Sequence, residues 1–296
     1  MIRLGVCCLF REVPIRFRQA TAAGMQRMPR RARRSRLADL CRANAEALRE
    51  ALEYCAAQGI GAFRVNSQIL PLKTHPACGY ALEDLPGGGE IIGLFRACGR
   101  LRRRMGLRLS FHPDQFVLLN SPRSEVGDAS VRELAYQAEV AGWIGADVIN
   151  LHGGGSYGDK ASALARLVQG VRRLPAPIRR RLTLENDDRT YTPADLLPVC
   201  RATGVPLVYD VHHHRCLPDG MSEEEATAAA LATWDREPLF HLSSPREGWG
   251  GQNRRPHHDF IDPADFPPAW KRLELTVEVE AKAKEQAVLR LKRDLG

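Results

Sequence analysis

The sequence has no run approaching the roughly 18 consecutive apolar residues that a membrane span needs. The stretch from Met1 to Val6 is too short and too polar-flanked for a secretory leader, so no membrane association is expected and the cytoplasm is the expected location. The eight cysteines include no C-x-x-C pair, and apart from the adjacent Cys7 and Cys8 their spacing offers neither a zinc knuckle nor a disulfide framework. There is no internal repeat of fixed period and no low-complexity linker, which argues against a second domain within residues 1–296.

What is present is the composition of a soluble globular protein rather than a disordered or fibrous one: 44% hydrophobic and 26% charged residues, with 25 glycines against 19 prolines. A chain of 296 residues fits one (β/α)8 barrel, a fold that commonly runs to about 250 residues or more. The net charge of +8 favours an anionic partner, and where that charge sits matters more than its sum.

Short apolar runs alternate with amphipathic segments, the pattern of a parallel sheet with crossover helices. The runs centre on Leu4, Phe63, Leu109, Val148, Leu182, Val208, Phe240 and Val277, enough to close an α/β TIM barrel. Leu37, Leu40, Cys41, Leu48, Leu52 and Cys55 form the core-facing stripe of a first long helix. Thr192-Pro193 and Asp262-Pro263 predict capped helix starts, and Ser222 with Glu225 a capping box. Gly59, Gly106 and Gly204 fall where helix C-termini need left-handed backbone. The irregular segments 11–35, 66–88 and 243–260 are expected as the loops after strands one, two and seven, on the face where such barrels carry function.

The strand ends carry the chemistry. Leu109-Ser110-Phe111 ends on His112, Ile149-Asn150-Leu151 on His152, Leu182-Thr183-Leu184 on Glu185, and Leu207-Val208-Tyr209 on Asp210. Leu239-Phe240 ends on His241 and Val277-Glu278-Val279 on Glu280. One histidine at a strand end is more often a hydrogen-bonded structural residue than a ligand; the repetition along the later strands is what points to a site. Clustered carboxylates repel and resist desolvation unless cations neutralise them. Imidazole and carboxylate donors without thiolates suit manganese, zinc or iron, with about three protein ligands per catalytic ion.

Together these residues resemble the UV-damage endonuclease family, a branch of the xylose-isomerase-like barrels related to endonuclease IV. The resemblance spans most of the chain. It rests on Phe63-Arg64-Val65 leading to Leu70-Pro71 and His75-Pro76, on Ser110-Phe111-His112-Pro113 with Gln115, and on Leu151-His152 with Gly154-Gly155. It continues through Leu184-Glu185-Asn186-Asp187, Asp210 with His213-His214, His241-Leu242 with Ser244, and Glu280-Ala281-Lys282 with Lys284-Glu285. It implies metal contacts from His75, His112, His152, Glu185, Asp210, His213, His241, His258 and Glu280, with the adjacent His257 as the alternative to His258. That set suits two or three divalent ions, manganese foremost.

The implied activity is metal-dependent hydrolysis of the phosphodiester 5′ to UV photoproducts or other lesions, by a monomer acting on damaged double-stranded DNA. Lys160 and Lys282 would add positive charge beside the reacting phosphate, and Gln115 and Phe116 would probe the duplex. Arg30, Arg31, Arg33 and Arg34, in the first loop, and Arg254 and Arg255 would grip phosphates, with Trp249 free to stack. The chain departs from the family at Val6, where a tyrosine stands, at Asp114-Gln115-Phe116 in place of Gly-Gln-Tyr, at Leu239 in place of lysine, and at Glu278 in place of an apolar residue. Glu278 shares strand parity with Glu280, so it points the same way one layer deeper and requires a partner or a proton. These departures keep a second class open: an iron-dependent oxidative enzyme, or a sugar-isomerase-like enzyme, on the same barrel.

Overall fold

The apolar runs become strands β1 Ile2–Cys7, β2 Ala62–Val65, β3 Arg108–Phe111, β4 Val148–His152, β5 Leu182–Glu185, β6 Leu207–Val208, β7 Leu239–Leu242 and β8 Leu275–Val279. The structure, a computed structural model, describes residues 2–296, and Met1 lies outside them. Every expected strand centre lies inside its strand. The strands pair in parallel in the order β6-β5-β4-β3-β2-β1-β8-β7, with helices around them, as in a TIM barrel. Strand residues are buried on both faces, one toward the barrel interior and one toward the helices, which is why they read as apolar runs.

The helices are α1 Ala22–Gln26, α2 Arg30–Ala57, α3 Gly88–Arg104, α4 Ser124–Ile144, α5 Lys160–Arg173, α6 Ala176–Arg179, α7 Pro193–Thr203, α8 Val211–Cys216, α9 Glu223–Leu231 and α10 Glu285–Leu295. The stripe from Leu37 to Cys55 is buried along α2. Capping boxes form at Thr192–Asp195 and Ser222–Glu225, satisfying amides that the first helical turn leaves open. Gly59, Gly106 and Gly204 have φ of 64°, 65° and 69°.

Two boundaries differ from expectation. The first loop ends at Arg30, because α2 begins there behind Pro29, and Arg33 N donates to the Pro29 carbonyl. Arginine is a good helix former, and that propensity outweighs the irregular look of the run. Asp262 caps only the 3-10 turn Pro263–Asp265, since Pro267 and Pro268 follow and neither can donate to a continuing helix.

The barrel closes between β6 and β7 without a full ladder. Leu207 N donates to Thr233 Oγ1 at 2.9 Å, and Trp234 Nε1 donates to the Leu207 carbonyl at 2.7 Å, so the lower part of β6 is satisfied without β7. Closure comes at the rim, where Asp210 and His241 form a parallel bridge and His241 N donates to the Tyr209 carbonyl at 3.0 Å. The seam therefore runs through two of the expected ligands. Beneath them Val148, Val208 and Leu239 form an apolar cluster separate from the main core, with Trp234 packed against it. By strand parity with His152, Asp210 and His241 these side chains face inward as the barrel's floor, and Leu239 belongs to that floor rather than to the site.

Candidate metal centre

The strand ends converge on Glu185. Its Oε2 lies 2.9 Å from His112 Nε2 and 4.0 Å from His152 Nε2, and its Oε1 lies 3.1 Å from His241 Nδ1 and 3.4 Å from His213 Nδ1. Donor atoms of His112, His152 and Glu185 fall within 4.8 Å of one another, as do those of Glu185, Asp210 and His241. Both triplets are groups able to hold a cation, and they share Glu185. Glu280 Oε1 stands 3.5 Å from His241 Nδ1.

The motifs build this arrangement locally. Asp210 caps α8, its Oδ1 accepting from His213 N at 2.8 Å, so the Asp-x-x-His spacing brings both side chains to the same point one turn apart. Asn186 braces the adjoining strand ends, with Asp210 N donating to its Oδ1 at 3.0 Å and its Nδ2 donating to the Asp210 carbonyl at 2.9 Å. Asp187 folds the next loop by accepting from the amides of Arg189, Thr190 and Tyr191. Gly154, at φ 87°, passes so close to Asn120 that a Cβ would collide with its Oδ1.

Charge at the centre is strongly coupled. Burial alone would raise Glu185, but the imidazoles of His241 and His152 and hydrogen bonds from His112 and His213 hold its carboxyl well below the usual carboxylate range. Burial likewise opposes protonation of His241, yet Glu185 and Glu280 carry it to about 10 against the effect of Arg64. His213 is also raised, by Asp210 and Glu185 against burial, whereas burial lowers His152. Asp210 Oδ2 and His152 Nδ1 are buried without a hydrogen-bond partner among the described residues.

A second polar layer lies below the rim, and it consists of residues two positions before the rim residues. Thr183 Oγ1 donates to Asn150 Oδ1 at 2.9 Å, and Asn150 Nδ2 donates to Glu185 Oε2 at 2.5 Å. Ser110 Oγ donates to Glu278 Oε1, and Arg64 Nε donates to Glu278 Oε2 at 2.6 Å. Arg64 Nη2 reaches Glu280 Oε1 at 2.5 Å. Arg64 is the partner that Glu278 requires. The signal for this layer is the polar residue at every second position inside otherwise apolar strands.

Other expected residues are placed differently. His75 Nδ1 accepts from Ala77 N at 3.1 Å within its own loop, and the ring is in neither triplet. His257 Nδ1 lies 3.7 Å from Glu280 Oε2, whereas His258 is exposed and its Nδ1 accepts from Phe260 N at 3.0 Å. Contrary to expectation, it is His257 that faces the cluster: its loop pairs with Pro245, and the neighbouring residue turns outward. Lys160, expected beside the reacting phosphate, pairs instead with Asp195 Oδ2 at 2.5 Å, joining the first turns of α5 and α7. Lys282 is exposed beyond the end of β8. Val6 is fully buried in register with Phe63 and Val279, so it cannot take the role of a rim tyrosine.

On the face around the centre, Asp114, Gln115, His152, Gly154, Asp187 and Arg189 contribute to the lining of a cavity of about 310 Å³. Phe116 is 74% exposed, and Asp114 Oδ1 accepts from its amide at 3.3 Å, so that carboxylate is engaged with its own loop. Tyr157, after β4, is another exposed aromatic, which no motif marked. Arg30, Arg31, Arg33 and Arg34 occupy the first turns of α2, where no acidic residue offsets the positive end of the helix dipole. Arg255 Nε donates to the Asp188 carbonyl at 3.1 Å, and Arg254 is exposed. Trp249 is not free to stack: its indole donates to Asp265 Oδ1 at 2.6 Å and packs beside His212 and Arg215.

Known proteins resemble this chain in sequence and in fold. The family described as UV-endonuclease UvdE matches residues 2–296. A UV DNA damage endonuclease of Deinococcus radiodurans is 38% identical over 98% of this chain and 94% of its own, and one of Bacillus velezensis 35% over 98% and 91%. The crystal structure of SacUVDE superposes with a TM-score of 0.89 at 27% identity, covering 100% of this chain and 98% of that one. Endonuclease IV from Thermus thermophilus shares the fold, with a TM-score of 0.60 at 19% identity over 84% of this chain and 92% of that one. The chain belongs to the UV-endonuclease UvdE family.

Proposed function

We propose that this protein is a metal-dependent DNA-repair endonuclease that hydrolyses the phosphodiester 5′ to UV photoproducts and related lesions. The observation that carries the reading is the double triplet sharing Glu185, set on a face that also bears Phe116 and the arginine-rich start of α2. The residues fit divalent ions: the donor set is imidazole and carboxylate, and Asp210 Oδ2 is a buried carboxyl oxygen with no hydrogen-bond donor among the described residues. His112, His152, Glu185, Asp210, His213, His241 and Glu280 would hold two or three ions, with His257 beside Glu280. Manganese is the first choice, zinc or iron the others.

Bound divalent ions supply Lewis-acid chemistry, making a nucleophile available from water at neutral pH and neutralising phosphate charge. The chain's own residues do the rest. His213 and His241 must give up their protons before serving as donors, so metal loading releases protons. Gln115 lines the cavity and the next residue, Phe116, is exposed, so its ring is available to stack on an unpaired or displaced base. His152, a rim imidazole, also lines the cavity, which would put it beside a phosphate bound there.

A duplex carrying one defined photoproduct or abasic site, incubated with manganese-loaded protein, should be nicked on the 5′ side of the lesion, and chelation should stop the reaction. Intact duplex after separate loading with manganese, zinc and iron would overturn the proposal. Iron retained through native purification, with oxygen-dependent turnover of a small molecule, would favour the oxidative alternative instead.

The arginines at the start of α2 make a second expectation. Changing Arg30, Arg31, Arg33 and Arg34 to glutamine should flatten the plot of log affinity against log salt by about 0.9 for each phosphate that is no longer neutralised. Fluorescence anisotropy with labelled duplex reads this directly. An unchanged slope would assign those charges to solvent alone.

A further inference from the structure

Glu278 lies inside the barrel, one layer below the rim, with its partners Arg64, Ser110 and His241 on β2, β3 and β7. From these contacts we infer that Glu278 is a positioning residue that fixes His241 with its proton on Nε2, leaving Nδ1 as the metal donor. The inference rests on the metal-centre reading given above and deepens it.

His241 Nε2 lies 3.2 Å from Glu278 Oε2 and 3.1 Å from Arg64 Nη2. A guanidinium nitrogen only donates, so the acceptor available to an Nε2–H is the carboxylate of Glu278. The opposite tautomer would let Nε2 accept from Arg64 Nη2 at 3.1 Å, but it would set the same lone pair 3.2 Å from a carboxylate oxygen and leave a proton on the Nδ1 that faces the ion-holding carboxylates. A metal at Nδ1 therefore selects the proton on Nε2, with Glu278 as its acceptor. On the other side of the ring Nδ1 faces Glu185 Oε1 at 3.1 Å, Glu280 Oε1 at 3.5 Å and Asp210 Oδ2 at 3.9 Å. Three carboxylate oxygens and one imidazole nitrogen thus converge from four strand ends.

Glu278 is itself held from two directions. Arg64 Nε donates to its Oε2 at 2.6 Å and Ser110 Oγ to its Oε1, so the carboxylate cannot rotate away without breaking buried hydrogen bonds. Carboxylates that accept the far N–H of a ligating histidine orient the ring and raise its basicity, and their loss typically weakens metal binding about 10- to 100-fold. The register places Glu278 opposite His241 on β8 and β7, which is how one residue reaches under the other.

Two variants separate this role from simple charge balance. Glu278→Gln keeps an oxygen that can accept from Nε2 and removes the charge; Glu278→Leu removes the acceptor. Titration with Mn2+ alone, following the free ion by electron paramagnetic resonance, should give wild-type-like affinity within a few-fold for Glu278→Gln and a loss of about 10- to 100-fold for Glu278→Leu. Equal losses in both variants would mean that Glu278 only balances Arg64, and an unchanged Glu278→Leu would exclude any role; either result overturns the inference.

Long-range 1H–15N spectra of the wild-type protein loaded with Zn2+ alone, with His241 assigned by substitution, give a readout that does not depend on how the variants fold. The inference expects a protonated Nε2 and a metal-bound Nδ1, and a metal-bound Nε2 overturns it. Wild type that binds neither ion would bring down the metal-centre reading itself. Wild type that binds while the Glu278 expectations fail would bring down this inference alone.

Discussion

Replacing Glu185 with glutamine should lower DNA nicking by at least about a thousandfold under saturating manganese, with the fold retained. Lewis-acid stabilisation by bound ions is worth several kcal/mol, and each 1.36 kcal/mol is about a factor of ten in rate. Glu185 is the residue the two triplets have in common, so one substitution disturbs both. Glutamine has the same shape but no charge, and its amide nitrogen would face either His112 or His241 across about a normal hydrogen-bond distance. Single-turnover nicking read on a sequencing gel is the measurement. A loss of less than tenfold would show that the reaction does not run through this centre.

The same variant carries a pH signature in the chelated protein. Because the folded-state pKa of Glu185 is depressed, the residue contributes stability above its unfolded value of about 4.3 and loses that contribution as pH falls through the folded value. The stability of wild type relative to Glu185→Gln should therefore decline as the solution is taken from neutral toward acid. Denaturant unfolding at pH 7 and at pH 3, inside the window below about 4.3 where the contribution is being lost, would settle the sign.

Which parts of the molecule the sequence reveals follows from periodicity. Strands buried on both faces are largely apolar runs with a polar residue at or beside the carboxyl end, so His112, His152, Glu185, Asp210, His241 and Glu280 are visible in one dimension. The same parity reaches one step further back, to Ser110, Asn150, Thr183 and Glu278, but a polar residue in mid-strand names no partner. The partner of Glu278 is Arg64, at a separation of 214 residues, and no local pattern marks it.

Loops lack that periodicity. His257 and His258 differ only in which way an irregular segment turns, and the antiparallel bridge to Pro245 decides it. Lys160 reads as a free cation until α7 is placed beside α5, when Asp195 claims it. Trp249 reads as an exposed stacking ring until Asp265, Arg215 and His212 enclose it. The loop's own fold-back decides the first case and residues outside the local segment decide the other two, so packing rather than local preference sets the outcome.

Arg64 is where the loss of one side chain should harm stability most. It is buried, its Nε lies 2.6 Å from Glu278 and its Nη2 2.5 Å from Glu280, so it neutralises two carboxylates inside the barrel. Changing Arg64 to methionine keeps much of the volume and leaves both acids without their cation. Removing one partner of a buried ion pair costs about 3–5 kcal/mol, because the remaining charge has lost both its hydrogen bonds and its access to water. For a chain of this size that corresponds to a fall in Tm on the order of 10 °C. Combining Arg64→Met with Glu278→Leu removes the deeper of the stranded charges, so the double variant should be more stable than Arg64→Met alone, a non-additivity expected of residues in direct contact. Thermal unfolding of chelated wild type, the two single variants and the double variant gives the coupling. If Arg64→Met unfolds within about 1 kcal/mol of wild type, water must reach the second layer and the interior is not the dry, charge-paired support from which His241 and Glu280 are held.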